Sequence, residues 1–164
     1  MISLLEGAGA VRPRKGRASR ALVIRLSVAG ARPEVWRRLV VRESLWVARL
    51  HDMIQVAFDW FDYQTHVFTV GGRKLGNPQS GDQAVEDDRD ITLAEAGITA
   101  EGRFSYRYQF GEGWVINGVV EETRPLAKGE RAPACLAGER SGPPEDCGGI
   151  EAYHDMLACL LEPN

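Results

Sequence analysis

The chain has 164 residues, of which 44% are apolar, 26% charged and 8% aromatic, and its formal net charge is −3. This composition is typical of one globular domain and excludes disordered, fibrous and membrane proteins. No apolar run approaches the ~18 residues of a membrane span, and the N-terminus lacks a signal-peptide pattern. Three cysteines, an odd number, do not form a disulfide framework, so we expect a protein of the reducing cytoplasm. Because an apolar span is missing, we expect no association with membranes.

The charges are unevenly distributed along the chain. Residues 1–50 contain eleven Lys and Arg against three acids, a balance of +8, whereas residues 51–164 have a balance of −11. A run without any acid contains Arg12, Arg14, Lys15, Arg17 and Arg20. We therefore predict a flexible basic tail over residues 1–20 and one domain over residues 21–164. Such a tail is either solvated or lies on the phosphates of a nucleic acid.

The first half of the chain mixes strand and helix patterns. Alternating β-branched residues predict strands, and apolar residues at three- and four-residue spacing predict a helix with Ser44 as its N-cap. Gly71-Gly72 supplies the positive φ of a tight hairpin turn. The predicted elements are strands over 21–29 and 35–41, a helix over about 45–58, and strands over 65–70 and 73–75.

The second half is predicted to be mainly antiparallel strands followed by a helix. Residues 76–90 are polar and acidic and predict a loop, and the prolines and glycines between 124 and 149 predict a long irregular segment. The predicted elements are a short helical turn from Thr92 to Ala96, strands over 103–110 and 114–121, and a C-terminal helix over about 150–161.

This order of elements favours a single α+β domain. Short hairpin connections predict a mostly antiparallel sheet, with the central helix (about 45–58) and the C-terminal helix (about 150–161) packed on it. Cys159 is expected in the core. The C-terminal helix is also expected to bury Ile150, Tyr153, Met156, Leu157, Leu160 and Leu161.

Histidines are the first candidates for chemistry. His51 shares a helix face with Val47 and Ile54, and His66 shares a strand face with Phe68. Either imidazole is able to ligate a metal or act as a general base, but no nucleophile stands beside it in the sequence. We therefore favour structural histidines and assign no catalytic residue, metal ion or cofactor.

Acidic residues and cysteines give weaker signals. Five acids between residues 82 and 90 lack the spacing of a calcium loop, so a solvated loop is favoured. Glu145 and Asp146 precede the C-terminal helix, where capping of its N-terminus is favoured over a metal or substrate contact. Cys135 and Cys147 are too far apart in sequence for a CxxC zinc pair and are expected to be structural or free thiols.

Several short motifs are distributed between about residue 21 and the end of the chain. They are Pro33-x-x-Trp36-Arg37-Arg38, Leu50-His51-x-x-Ile54-Gln55, Trp60, His66-x-Phe68, Tyr106-x-Tyr108-x-Phe110-Gly111-x-Gly113-Trp114, Cys135-x-x-Gly138-x-Arg140, Pro143-Pro144-Glu145-Asp146-Cys147-Gly148-Gly149 and Tyr153. With these motifs the chain resembles the plasmid pRiA4b ORF-3-like family. The Pro-Pro-Glu-Asp-Cys-Gly-Gly block is highly specific.

The resemblance implies an α+β domain found on plasmids, in mobile elements and in bacterial chromosomes. Some members are labelled insertion-element passenger proteins (TnpR), but the chain has no serine-recombinase pattern. The family block Asp-Phe-Gly-Asp-Gly-Trp-x-His has Gln109, Glu112 and Ile116 here in place of its acids and histidine, and Asp59 stands where the family has glycine. If that block is a metal or acid–base site in relatives, we expect it to be impaired here.

The expected function is that of a non-enzymatic binding module. Its partner is expected to be a protein or a nucleic acid, contacted through the basic tail or the Trp36-Arg37-Arg38 run. This run is either an exposed surface for stacking and anions or an amphipathic strand with Trp36 inward, and we favour the strand. The alternative is a metal-assisted hydrolase, in which the two histidines, Glu145 and Asp146 converge. The candidate functional residues are Trp36, Arg37, Arg38, His51, His66, Trp114, Glu145 and Asp146.

Overall fold

The computed structural model describes residues 20–80 and 85–162, and within these ranges the chain forms eight strands and three α-helices. The strands are β1 (Arg20–Val28), β2 (Trp36–Arg42), β3 (His66–Val70), β4 (Arg73–Gly76), β5 (Glu86–Asp87), β6 (Arg103–Tyr108), β7 (Trp114–Pro125) and β8 (Ala134–Glu139). The helices are α1 (Val47–Phe58), α2 (Leu93–Ala96) and α3 (Gly149–Leu161), and Pro78–Ser80 forms one turn of 3-10 helix.

All of these strands belong to one sheet, in the order β5-β4-β3-β6-β7-β1-β2-β8. Neighbouring strands are antiparallel except for β4 and β5, which pair in parallel over two residues. The hairpins β1–β2, β3–β4 and β6–β7 are those that the alternating patterns predict. The prediction of an α+β domain with a mostly antiparallel sheet is confirmed.

One face of the sheet carries the hydrophobic core, because alternate residues of each strand point to the same side. The large sheet residues in this core include Leu22, Ile24, Leu26, Leu39, Phe68, Tyr106, Tyr108, Trp114 and Ile116. Helix α1 packs on them with Leu50, Ile54 and Phe58, and α3 packs with Tyr153. Both predicted helices therefore cover the same core.

Helix α1 starts later than predicted and is not capped by Ser44. Its N-cap is Trp46, whose side chain makes no capping bond. Backbone carbonyls of the segment before α2 take this role, because Val47 N donates to Ile91 O and Ala48 N to Asp88 O, both at 2.9 Å. A tertiary contact thus replaces the local cap, and it brings Asp88 alongside the first turn of α1.

Two other predictions were wrong at the C-terminal side. The segment predicted to be irregular contains β8, which pairs with β2 and lies at the edge of the sheet with mostly exposed side chains, so it lacks a buried alternating pattern. Leu160 and Leu161, predicted to be buried, are 75% and 81% exposed, and Cys159 is exposed as well. The last turn of α3 extends beyond the core that Tyr153 contacts.

Gly118 of β7 is required by the packing of the sheet. It pairs with Phe104 of β6, and a Cβ at residue 118 would overlap the Phe104 ring. Overpacking of a core typically costs 1–3 kcal/mol, so we expect Gly118→Ala to lower the free energy of unfolding by about 2 kcal/mol. Chemical denaturation measures this. The exposed neighbour Asn117→Ala is the control, and Phe104→Leu should restore part of the loss in the Gly118→Ala background.

Candidate functional site

Helix α1 directs two polar side chains into the core. His51 and Gln55, one turn apart, lie on the same buried face as Leu50 and Ile54. Buried polar groups need hydrogen-bond partners, and both side chains have them. The partners come from β6 and from the loop that follows α1.

Four residues close a circuit of hydrogen bonds around His51. The Asp62 backbone N–H donates to Gln55 Oε1 (2.9 Å), and Gln55 Nε2 donates to the Tyr106 hydroxyl (2.8 Å). That hydroxyl lies 2.8 Å from His51 Nδ1, and His51 Nε2 lies 2.9 Å from Asp62 Oδ1. Because a carboxylate only accepts, we assign the imidazole proton to Nε2, so Nδ1 accepts from Tyr106.

His66 has its own carboxylate partner. It stands at the start of β3, and its Nε2 lies 2.6 Å from Oδ2 of Asp88, which is 2% exposed. A buried carboxylate is costly unless it is paired, and the imidazole provides the partner. Asp88 belongs to the acidic segment for which a solvated loop was predicted, and for this residue that prediction is wrong.

The two imidazoles stack directly on each other. Their ring centroids are 3.6 Å apart and their planes differ by 10°. Burial lowers the pKa of His51, and the neighbouring His66 lowers it further, against the opposite effect of Asp62. His51 is thus held in its neutral form, in which one nitrogen keeps a lone pair.

A pocket of about 350 Å³ opens beside the stacked rings. Its lining is mostly polar and comes from α1, the loop after it, the start of β3 and the segment around Asp88. The lining residues are Ala48, His51, Asp52, Asp62, Gln64, Thr65, His66, Asn77, Asp88 and Arg89. The pocket has the size and the convergent polar groups that small-ligand sites share.

The loop of residues 59–65 forms one rim of this pocket. Asp59 and Asp62 adopt left-handed conformations, with φ of 61° and 58°, which aspartate tolerates better than most residues. Between and beyond them, Phe61 and Tyr63 are 64% and 73% exposed, and their rings stack with centroids 5.8 Å apart. The loop therefore presents two stacked aromatic rings to solvent, from the residues directly before and after Asp62.

Two buried side chains, Trp60 and Glu145, hold the same loop on the core. Trp60 Nε1 donates to Pro143 O (2.9 Å), and the Phe61 N–H donates to Glu145 Oε2 (2.9 Å). The Tyr108 hydroxyl donates to the other Glu145 oxygen in a short hydrogen bond, and Trp114 Nε1 donates to the Glu145 carbonyl (2.9 Å). The capping prediction is wrong for Glu145, because α3 begins after Gly148 without a side-chain cap.

The residues of the proposed hydrolase are therefore only partly brought together. His51 and His66 meet, whereas Glu145 is bonded to Tyr108 and to the loop, and Asp146 is exposed. Among the hydrogen bonds of residues 20–80 and 85–162, none joins Glu145 or Asp146 to either histidine. Their carboxylates have the positions of a loop anchor and a surface group.

Tyr108 is expected to make the stability of the fold fall at alkaline pH. Burial and the bond to Glu145 raise its pKa above the usual value of about 10. The folded state thus binds the Tyr108 proton more tightly than the unfolded state does. The contribution of this hydroxyl to the free energy of unfolding is therefore complete below pH 10 and is lost as the pH rises above 10. We expect Tyr108→Phe to reduce the slope of unfolding free energy against pH by up to about 1.4 kcal/mol per unit, with exposed Tyr63→Phe as control.

Trp36, Arg37 and Arg38, a candidate partner surface, make contacts with other residues of the same chain. Arg37 donates to the Ala57 carbonyl (2.9 Å) at the end of α1, and Arg38 forms a two-pronged ion pair with Glu121, with a shortest distance of 2.6 Å. The guanidinium of Arg38 lies 5.0 Å from the centroid of the Trp36 ring. Of the predicted basic tail, only Arg20 lies within the described residues, as the first residue of β1.

Sequence reasoning missed four members of the site: Gln55, Asp62, Asp88 and Tyr106. Gln55 and Tyr106 stand in the motifs of the family resemblance without an assigned role, and the i, i+4 spacing of His51 and Gln55 is the local signal that could have pointed to a shared site. Asp88 and Tyr106 come from distant segments, and no local spacing connects them to the histidines. Only the tertiary structure brings these side chains together.

The fold and the pocket define a single-sheet α+β domain with a polar, ligand-sized site. Residues 20–164 match the family described as Plasmid pRiA4b ORF-3-like protein. The chain therefore belongs to that family, and the resemblance carried by its motifs is confirmed. Among the described helices, none has the length and apolar character that crossing a membrane requires.

Two similar proteins are described as uncharacterized or of unknown function. The chain is 33% identical over 147 residues to the uncharacterized protein y4hQ of Sinorhizobium fredii (strain NBRC 101917 / NGR234), covering 87% of this chain and 75% of that protein. It also resembles the crystal structure of MM3350 from Methanosarcina mazei Go1, a protein of unknown function. This similarity has a TM-score of 0.82 and 30% identity, and it covers 90% of this chain and 85% of the other.

Proposed function

We propose that this chain is a non-enzymatic binding module that recognises a basic segment of a partner protein. Its binding surface, which we call the rim, combines Asp52 and Asp62 of the pocket lining with the exposed rings of Phe61 and Tyr63 on the loop of residues 59–65. The observation that carries the proposal is the exposed, stacked pair of Phe61 and Tyr63, the two neighbours of Asp62 in the sequence.

Exposed aromatic rings beside a carboxylate suit a cationic ligand. Tyr and Phe faces attract Lys and Arg side chains through cation–π interactions worth about 0.5–1 kcal/mol at exposed sites. Aromatic residues are also enriched in the energetic centres of protein interfaces. Trp60 and Glu145 hold the backbone of the loop that carries the two rings, which reduces the conformational entropy lost when a partner binds.

The charges of the pocket favour the same class of partner. Asp62 is bonded to an imidazole, so no arginine or lysine neutralises its charge in that bond. The cation in the pocket lining, Arg89, is paired with Asp87. Asp52 is paired with Arg49, and both side chains are more than half exposed, so this pair opens at little cost. The balance of −11 over residues 51–164 adds a long-range attraction for a basic segment.

Fluorescence anisotropy with a labelled lysine octapeptide tests this function. The measurement uses the full chain in EDTA at low and high salt. We expect the triple variant Phe61→Ser, Asp62→Asn, Tyr63→Ser to bind at least tenfold more weakly than the wild type, about 1.4 kcal/mol. A labelled glutamate octapeptide should not bind to either protein.

A matched variant separates a defined site from general attraction between opposite charges. Phe110→Ser with Asp146→Asn removes the same charge as the rim variant, together with one exposed aromatic ring where the rim variant removes two, at positions away from the pocket. It should bind the lysine peptide within twofold of the wild type. Equal loss in both variants, or no loss in the rim variant, would contradict the proposed surface.

A nucleic acid is the second candidate partner because the basic run at Arg12–Arg20 is separated from the acidic remainder of the chain. Duplex DNA anisotropy at two salt concentrations tests it, with the five basic residues replaced by glutamine in the variant. Binding that weakens steeply with salt and disappears in the variant supports phosphate contacts by the tail. No binding at low salt removes duplex DNA as a partner.

A further inference from the structure

A second pocket lies on the face of the sheet opposite to the core. Its volume is about 430 Å³, and its lining comes from β3, β4, β6, β7 and the turn after β6. We call it the cationic pocket, because Lys74 and Arg107 are among its lining residues. It shares no lining residue with the histidine pocket, so the two sites are separate.

The strand register places the polar side chains of the cationic pocket next to one another. Lys74 of β4 pairs with Thr69 of β3, and Thr69 pairs with Ser105 of β6, so an ammonium and two hydroxyls form one row across three strands. Arg107 lies two residues after Ser105 and therefore on the same face. From the spacing of strands and residues in a sheet, the Lys74 and Arg107 side chains start about 12 Å apart, with the two hydroxyls between them.

Both cations are exposed and have no carboxylate partner among residues 20–80 and 85–162. The strands beyond the pocket carry paired arginines on the same face, since Arg25 binds Glu34 and Arg38 binds Glu121. An extended nucleic-acid strand that crossed the sheet would meet these ion pairs on leaving the pocket. The free charges therefore favour a compact anion.

From this arrangement we propose that the cationic pocket binds a small phosphate monoester with an aromatic group, such as a nucleoside monophosphate. The Arg107 guanidinium offers a planar pair of donors to phosphate oxygens, and Lys74 offers a compact positive charge. The hydroxyls of Thr69 and Ser105 each add one donor. Two cations match the charge of a phosphate dianion.

An apolar part of the lining suits the aromatic group of this ligand. Phe110, in the turn after β6, is 47% exposed, and Val67 and Val115 flank Arg107 in the strand register. An aromatic base stacks on such a ring in a sequence-tolerant way, because every base has a π-face. The pocket volume also lies within the range of about 300–1,000 Å³ that small-molecule sites have.

Equilibrium dialysis of the full chain against labelled adenosine monophosphate tests the cationic pocket. We expect one nucleotide per chain, with an affinity that falls as the salt concentration rises. Arg107→Gln and Lys74→Gln should each weaken binding at least tenfold, because each removes a charged donor to the phosphate. Adenosine, which lacks the phosphate, and inorganic phosphate, which lacks the ring, should each bind at least tenfold more weakly than the nucleotide.

Arg103 supplies the matched control. It is exposed, lies on the same strand and the same sheet face as Arg107, and does not line the cationic pocket. Arg103→Gln should therefore bind the nucleotide within twofold of the wild type. The rim variant of the proposed function should do so as well, so each proposal is able to fail without the other.

Four outcomes would overturn this site. They are no binding at about 1 mM nucleotide, binding like the wild type in both Arg107→Gln and Lys74→Gln, an equal loss in Arg103→Gln and Arg107→Gln, and equal binding of adenosine or inorganic phosphate and the nucleotide. A thymidylate strand of ten nucleotides serves as competitor. If it displaces the nucleotide at a concentration below the nucleotide's own dissociation constant, the pocket takes a nucleic-acid strand and the proposal is wrong.

Discussion

Replacing Trp60 with alanine is expected to lower the free energy of unfolding by about 3–5 kcal/mol. The Trp60 ring is buried and stacks with Phe58, Tyr108 and Trp114 at centroid distances of 5.4, 5.2 and 6.0 Å. Truncation leaves a cavity among these rings and removes the donor to Pro143. Urea denaturation followed by circular dichroism measures the loss.

Two further variants separate the loss of the Trp60 ring from the loss of its indole N–H donor and test whether the neighbouring exposed ring matters. Trp60→Phe keeps an aromatic ring but lacks the indole N–H, so it should cost about 1–3 kcal/mol, less than alanine. Phe61→Ala removes the adjacent but exposed ring and should stay within about 0.5 kcal/mol of the wild type. A loss in Phe61→Ala as large as that in Trp60→Ala would show that the loop is not anchored by Trp60.

Glu145→Ala is expected to lower the free energy of unfolding by about 2–4 kcal/mol. The carboxylate accepts from the Tyr108 hydroxyl and from the Phe61 N–H, and both donors lose their acceptor when it is removed. An unsatisfied buried group costs about 1–3 kcal/mol. Thermal and urea unfolding should agree on this loss.

The neighbouring acid is a control for Glu145. Asp146 is exposed, so Asp146→Ala removes the same charge one residue away and should change stability by less than about 0.5 kcal/mol. Glu145→Gln keeps one oxygen acceptor and should fall between the two. If Asp146→Ala is as destabilising as Glu145→Ala, the effect comes from local charge and not from the loop anchor.

Much of the fold was predictable because its signals are local. The strict alternation of Phe104, Tyr106 and Tyr108 predicts a strand with one buried face, and these residues form that face. Asp59 ends α1 with a left-handed φ of 61°, the conformation that glycine adopts most readily, which agrees with the glycine that the family resemblance implies at this position. Edge strand β8 escaped prediction because its partner β2, not a buried pattern, keeps it in place.

The candidate site was predictable only in its histidines. Local patterns put His51 and His66 on inward faces of a helix and a strand, but not beside each other. Their meeting depends on how α1 crosses the sheet, a property of packing and not of spacing. Asp88 was read as a solvated acid because nothing in its own segment reveals that its carbonyl receives the N–H of Ala48 and its carboxylate faces His66.

The circuit through His51, Gln55, Asp62 and Tyr106 also constrains how the site can evolve. Replacing Gln55 or Tyr106 leaves two neighbouring groups without a partner, and replacing His51 leaves the Tyr106 hydroxyl without its acceptor. The Asp62 side chain is 57% exposed, and its bond to Gln55 comes from the backbone N–H. A descendant that loses the Tyr106 hydroxyl gains nothing by keeping a glutamine that donates to it. We therefore expect positions 51, 55 and 106 to covary among relatives, as a complete polar set or as an apolar replacement of it, with few intermediates surviving.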